Sequence, residues 1–319
     1  MPTFSISGPV SPAVVEMLRQ HGQVVEVSYA EGLPVAELAT VDVALTLLTD
    51  RVDEKLLVAA PNLCCVCNVA VGYDNVDLEA AKRYGVAVTN TPGVLDDATA
   101  DLAMALLLAA ARRLGEAERV VRSGRPWTWG MDFMLGRDLV GKRLGIIGLG
   151  GIGARVARRA RGFGLSIGYF GRTEASTATE LGAERQDLDQ LLATSDFVSL
   201  HCPLTAETRH LIGARELALM KATAVLINTA RGAVVEEGAL VEALAGGKIW
   251  AAGLDVYEGE PAVHPGLLRL DRVVLAPHVG SATVETRDAM AELAARNAIA
   301  AANREPLLTP IYVPDDHPG

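Results

Sequence analysis

The stretch Leu144-Gly-Ile-Ile-Gly148-Leu-Gly150-Gly-Ile-Gly153-Ala-Arg-Val-Ala157 decides how this chain is read. Its apolar start has the composition of a short buried strand, and its end carries the small and charged residues of a helix. Between them stands Gly148-x-Gly150-x-x-Gly153. In such a turn the first glycine permits a sharp bend, the second lets a pyrophosphate approach the backbone, and the third lets helix and strand pack closely. Free N–H groups at the helix start then bind the phosphates. A chain with 31 glycines meets this spacing by chance, so the strand before it and the helix after it carry the inference.

Working outward, a series of strands and helices starts at Lys142. Its strand candidates are residues 144–147, 167–170, 197–200, 225–228, 251–256 and 273–275. Strands alternating with helices predict a doubly wound parallel sheet of the Rossmann type. Upstream, residues 4–6, 24–27, 43–47, 64–69 and 86–89 read as strands of a second, smaller doubly wound domain, flavodoxin-like and suited to substrate. One of its helices begins after Ser11-Pro12, and another runs over 53–60 and stops at Pro61. An Ala/Leu helix over 98–112 and an irregular, tryptophan-rich stretch join the two series. The helix predicted over 284–303 has no further strand to join, so it is expected to cross back to the first domain with the tail. The expected domains are therefore 1–97 plus 290–319, and 98–289.

Composition excludes several classes. Half of the 319 residues are hydrophobic and 21% are charged, which is ordinary globular usage. With five Phe, three Trp and six Tyr, the core is built mainly from Ala, Val, Leu and Ile. A net charge of −10 argues against nucleic acid or an anionic membrane as the main partner. The longest apolar run, from Leu102 to Ala111, is about half a bilayer span. The start lacks the basic and apolar regions of a signal peptide. Cys64, Cys65, Cys67 and Cys202 are too few and too clustered for a disulfide framework, and the first three lie in an apolar run with no CxxC pair or histidine nearby. No metal is expected, and the expected compartment is a reducing cytoplasm.

The end of the second Rossmann strand bears on which dinucleotide binds. An NAD site places Asp or Glu there for the ribose 2′-OH. Here the strand runs into Gly171-Arg172-Thr173, with no acid before Glu174. A guanidinium fork and a hydroxyl suit a 2′-phosphate dianion, which points to NADP(H). The alternative is that Arg172 covers the adenine face and NAD also binds.

Three segments follow the last three strands: Asn228-Thr-Ala-Arg231-Gly232, Asp255-Val-Tyr-Glu-Gly-Glu260-Pro261 and Pro277-His278-Val-Gly-Ser281. In a doubly wound sheet all three lie at the carboxyl edge, where the dinucleotide binds. Arg, Glu and His converging there are what reduction of a 2-oxo acid requires. With Val71-Gly-Tyr-Asp-Asn-Val-Asp77 upstream, these motifs cover nearly the whole chain. The sequence resembles the D-2-hydroxyacid dehydrogenase family, most closely its glyoxylate/hydroxypyruvate reductase branch.

The resemblance implies residue roles. Arg231 would hold the substrate carboxylate and polarise the keto oxygen. His278 would donate the proton, and Glu260 would hydrogen-bond His278 and stabilise its imidazolium. Backbone N–H groups of Val71 and Gly72, on the facing domain, would bind the other side of the carboxylate. Asp255 would contact the nicotinamide carboxamide. Gly151, Ile152, Cys202, Pro203, Thr229, Ala230, His278 and Gly280 would join Gly148, Gly150, Gly153, Gly171, Arg172 and Thr173 around the cofactor. The segment from Trp127 to Leu135 resembles the loop that lines the substrate pocket across the dimer interface in that branch. Helix 98–112 beside it would supply apolar surface for a homodimer. Relatives acting on D-lactate, 3-phosphoglycerate or phosphite share these motifs, as do dinucleotide-regulated corepressors, and fold alone does not separate them.

Overall fold

Short runs of apolar residues, many buried along their whole length, form the strands of two parallel sheets. The computed structural model describes residues 1–28 and 32–315. Its Cα packing divides the chain into two units. One contains residues up to Leu95 and those from Ser281 onward, and the other runs from Asp96 to Gly280.

The first unit alternates β1 (Thr3–Ile6), α1 (Pro12–Arg19), β2 (Gln23–Glu26), α2 (Val35–Leu38), β3 (Val43–Thr46), α3 (Glu54–Ala59), β4 (Cys65–Asn68), α4 (Leu78–Arg83) and β5 (Ala87–Thr89). Pro12 opens α1, while the carboxylates of Asp53 and Asp77 accept first-turn amides of α3 and α4. The parallel order β2-β1-β3-β4-β5 is the flavodoxin-like arrangement.

The second unit begins with α5 (Asp96–Ala111) and α6 (Leu114–Arg122). It continues with β6 (Arg143–Ile147), α7 (Gly151–Gly162), β7 (Ser166–Phe170), α8 (Ala178–Leu181), β8 (Ala183–Arg185), α9 (Leu188–Thr194), β9 (Phe197–Leu200), α10 (Ala214–Leu219), β10 (Val225–Asn228), α11 (Glu237–Ala245), β11 (Ala251–Leu254) and β12 (Val273–Leu275). The sheet order is β12-β11-β10-β9-β6-β7-β8. Chain order reverses between β6 and β9, and such a switch point opens a crevice beyond the strand ends.

The chain then returns to the first unit. α12 (Val284–Asn303) packs against β3, β4 and α1, and β13 (Pro310–Tyr312) pairs antiparallel with β5. The second crossing therefore falls at Gly280–Ser281 and not at the expected 289–290, because one continuous helix lies wholly on the first unit's sheet.

Besides β13, three elements depart from the sequence reading. β8 was not anticipated: Ala-Glu-Arg at a sheet edge is exposed over two of its three residues and carries no apolar signal. Neither was α6, which buries none of its residues and is laced by the Arg113–Glu116 and Arg122–Glu118 pairs. Helix 98–112 was expected to offer apolar surface. Instead α5 packs on α7, β10 and β11, with Ala100, Ala103, Leu106, Leu107, Ala110 and Ala111 buried. The exposed apolar side chains lie just beyond, at Leu114, Val121, Trp127, Trp129, Met131 and Leu135. All four cysteines are free. Among the described residues no helix is long and apolar enough to cross a membrane, and no cluster of potential metal ligands occurs.

Asn297 fastens the returning tail. Fully buried in α12, its Oδ1 accepts the amides of Leu308 and Thr309 at 3.0 and 3.1 Å, and its Nδ2 donates to the Thr309 hydroxyl at 2.9 Å. Asn297→Ala leaves those amides without their acceptor, at a cost of about 1–3 kcal/mol. The expected outcome is a lower thermal transition, with faster hydrogen exchange at Leu308, Thr309 and Tyr312 than in the parent.

Candidate active site

The glycine motif sits where the sequence places it, in the turn from β6 into α7. Gly148 has φ +95°, a conformation that favours glycine, and a Cβ there would lie 2.8 Å from the backbone of His201 and Cys202. At Gly153 a Cβ would meet the Gly148 carbonyl oxygen at 2.2 Å, whereas at Gly150 it would meet nothing within 4 Å. The two outer glycines thus serve close packing, and the middle one opens a cradle at the α7 N-terminus, where amides point outward. Nearby, at the end of β10, the buried Thr229 hydroxyl has no partner. An open cradle with an orphaned donor fits a dinucleotide.

Around the cradle, Gly171, Arg172 and Thr173 follow β7, and Cys202 and Pro203 follow β9. Burial pushes the Cys202 thiol up to about 11, so it is a neutral packing group. The neighbouring His201 is driven down to about 3 by burial, with Nε2 2.8 Å from the Ser199 hydroxyl. It too is neutral. Hydrogen bonding to Thr205, first, and the more distant charge of Arg172 help hold Glu207 below the usual carboxylate range.

The loops after the adjacent strands β10, β11 and β12 carry Arg231, Glu260 and His278. His278 Nδ1 lies 2.7 Å from Glu260 Oε2, and the Tyr257 amide donates to Glu260 Oε1 at 2.9 Å. Burial pushes the Glu260 carboxyl up. The bonds from His278 and Tyr257, with the charges of His278 and Arg231, outweigh that and hold it below its usual range. Glu260 is therefore a carboxylate near neutrality. The Arg231 Nη1 donates to its neighbour Ala230 O at 2.8 Å. Its loop reaches the Glu260 loop because Gly232 has no side chain: a Cβ would lie 1.9 Å from the Tyr257 carbonyl carbon.

His278 has φ +55°, uncommon for any residue with a Cβ. Asp255 holds it there. Its carbonyl accepts the His278 amide at 2.8 Å, and its buried carboxylate accepts the Val279 and Gly280 amides at 2.8 Å each. Burial pushes this carboxyl up, against those two bonds. The contact that the resemblance gives Asp255 is to a cofactor amide; in the structure both carboxylate oxygens organise the His278 turn.

In the first unit, Val71 and Gly72 follow β4. Asn90 Nδ2 donates to Val71 O at 2.8 Å, Asn68 Nδ2 to Gly72 O at 2.9 Å, and the Thr91 amide to Ala70 O at 2.9 Å. The carbonyls on this loop are thus engaged, while the amides of Val71 and Gly72 have no acceptor among the described residues. The sequence reading missed these clamping asparagines. It also missed Asn228, which bridges the Ala230 amide and the Arg231 carbonyl at 3.0 and 2.9 Å. The available signal was an Asn at a strand end, where its amide substitutes for backbone partners.

Comparison with known proteins agrees with the fold. Residues 104–280 match the family described as D-isomer specific 2-hydroxyacid dehydrogenase, NAD binding domain. A glyoxylate reductase of Thermococcus litoralis is 54% identical over 280 residues, covering 86% of this chain and 84% of that protein. A glyoxylate reductase structure from Paecilomyes thermophila superposes with TM-score 0.88 at 38% identity, covering 97% of this chain and 98% of the other. An NADPH-dependent glyoxylate/hydroxypyruvate reductase of Sinorhizobium meliloti, solved with NADP and malonate, gives TM-score 0.87 at 36% identity over 97% and 96% of the two chains. Family match, fold and the gathering of three strand-end loops beside a dinucleotide cradle agree: this chain belongs to the D-isomer specific 2-hydroxyacid dehydrogenase family and is an NAD(P)-dependent oxidoreductase.

Proposed function

We propose that the chain reduces a small 2-oxo acid, glyoxylate or hydroxypyruvate, to the 2-hydroxy acid with NADPH. The observation that carries this reading is the 2.7 Å pairing of His278 Nδ1 with a carboxylate, one loop away from Arg231. The names of the relatives support the substrate class, and Gly171-Arg172-Thr173 supports the 2′-phosphate.

NADPH, when held here, would supply the hydride that reduces the carbonyl carbon. Arg231 holds the substrate carboxylate in its planar fork and polarises the keto oxygen. With Nδ1 bonded to Glu260, the other ring nitrogen of His278, Nε2, delivers a proton to that oxygen, and solvent later returns one. Glu260 keeps the ring oriented and stabilises its charged form before transfer. The free amides of Val71 and Gly72 suit a carboxylate. Gly148, Gly150, Gly151, Ile152 and Gly153 would hold the pyrophosphate, while Cys202, Pro203, Thr229, Ala230 and Gly280 would line the remainder of the cofactor.

The homodimer expected for this family would cover the exposed apolar stretch after α6. There Trp127 and Phe133 stack with centroids 5.9 Å apart and planes 4° apart.

A panel of NADPH and NADH against glyoxylate, hydroxypyruvate, pyruvate and phenylpyruvate tests the reading. The expected result is highest kcat/KM with NADPH and one of the two small acids. A tenfold preference for NADH would remove the role given to Arg172. His278→Ala is expected to lower kcat by about 10²–10⁴-fold while NADPH binding, followed by nicotinamide fluorescence, persists. Unchanged turnover would take His278 out of the mechanism.

Glu260 gives a pH signature. Its carboxyl lies below the usual range, so its charge is present at neutral and alkaline pH and is lost only in acid. Glu260→Gln removes that charge and disfavours the imidazolium. The acid limb that protonation of Glu260 gives the parent's kcat/KM is expected to be absent from the variant, whose kcat/KM at neutral pH falls. An acid limb that stays in place would show that Glu260 does not act through His278.

A further inference from the structure

The edge strand β8 delivers one side chain to the loop that ends β7. Arg185, which pairs with Tyr169 across the strands, donates from a single guanidinium nitrogen, Nη2, to two carbonyls. They belong to Gly171 and Arg172, each at 3.1 Å. In a trans peptide the carbonyl and the N–H point in opposite directions. The Gly171 carbonyl shares its peptide with the Arg172 N–H, and the Arg172 carbonyl shares its own with the Thr173 N–H. Gathering both carbonyls at one guanidinium therefore turns both N–H groups to the opposite side. Neither N–H has an acceptor among the described residues. Two successive amides so presented form an anion-accepting concavity. Their residues also carry the Arg172 guanidinium and the Thr173 hydroxyl.

We infer that Arg185 is a positioning residue for the 2′-phosphate of NADPH, acting through the Gly171–Arg172 carbonyls that it holds. This rests on the NADPH reading above. Its reach is indirect, because the bound carbonyls lie between its guanidinium and the outward amides. A carbonyl that accepts from a charged donor leaves its peptide more strongly polarised, so the N–H on the far side becomes a better donor to phosphate. The same contact fixes the direction in which the Arg172 side chain leaves the backbone. The 2′-phosphate dianion thus meets a loop with its donors already arranged, whereas a ribose 2′-OH has no use for that arrangement. Arg185 discriminates between the two cofactors without touching either.

The test reads binding without turnover. Adenosine 2′,5′-bisphosphate and 5′-AMP, which differ by the 2′-phosphate, are titrated by calorimetry into the parent, Arg185→Ala and Arg185→Gln. The parent is expected to bind the bisphosphate at least about tenfold more tightly. Arg185→Ala should weaken the bisphosphate on the order of tenfold, the scale of a hydrogen bond involving a charged group, and 5′-AMP by less than about twofold. In Arg185→Gln the side-chain amide can still donate to the carbonyls and should restore part of the loss. If the parent does not distinguish the two nucleotides, the NADPH reading fails and this inference fails with it. If the parent discriminates and Arg185→Ala discriminates equally well, the inference alone is overturned. Equal weakening of both nucleotides, with a lowered thermal transition, also overturns it, since that marks Arg185 as a structural tie for β8.

Discussion

A buried carboxylate that accepts two backbone amides sets the geometry on which the rest of the site depends. Asp255, 1% exposed at the end of β11, binds the amides of Val279 and Gly280 through its side chain and that of His278 through its carbonyl. Left-handed backbone at a residue with a Cβ costs about 1–2 kcal/mol. Hydrogen bonds to a charged group contribute about 1.5–3 kcal/mol each, so the turn is stable as built. The imidazole is thereby aimed at Glu260, and parallel pairing of β10, β11 and β12 puts Arg231 on the neighbouring strand end. An acid one strand away does the work of holding the histidine still.

The N-terminal half of α7 is held by a second set of charges. Arg155 and Arg159, one turn apart, face Asp97 and Asp101, one turn apart on α5, with bonds of 2.6–2.9 Å, and Arg155 also reaches Asp96 at 2.8 Å. Such pairs are individually weak near a surface. Sharing Asp97 between two arginines turns them into a network that fixes the rotation of α7 about its axis. It also neutralises acids that stand close to the cradle: a Cβ on Gly151 would lie 2.3 Å from Asp96 Oδ2. Burial pushes the Asp96 carboxyl up and Arg155 opposes it. The dinucleotide would therefore meet a helix end whose nearest acid is already paired.

Much of this was legible in the residues. Strands β6, β9, β10 and β12 are predominantly apolar runs, and their parallel arrangement follows from alternation with helices. The segments bearing Arg231, Glu260 and His278 were each recognisable because a candidate side chain stands within a few residues of a strand's end. What escaped shares one physical reason. β8, α6 and β13 are held by neighbours and not by their own hydrophobic pattern: two of the three residues of β8 are exposed, α6 buries none, and β13 depends on β5 and Asn297. The clamps made by Asn68, Asn90, Asn228 and Arg185 escaped because each acts on carbonyls, which every residue has. Only coordinates reveal which carbonyl is meant. For helix 98–112 the apolar composition reports burial without saying against what, and α5 buries much of that surface within its own unit.

The route of the chain also orders its assembly in time. The unit running from Asp96 to Gly280 is contiguous, so all its strands are synthesised before α12. The first unit starts earlier yet finishes later: its sheet lacks both the helix that covers β3 and β4 and the strand that borders β5 until residues 284–312 emerge. During synthesis the nascent half-domain, with the β5 edge unpaired and the α12 seat on β3 and β4 unfilled, waits for residues 284–312.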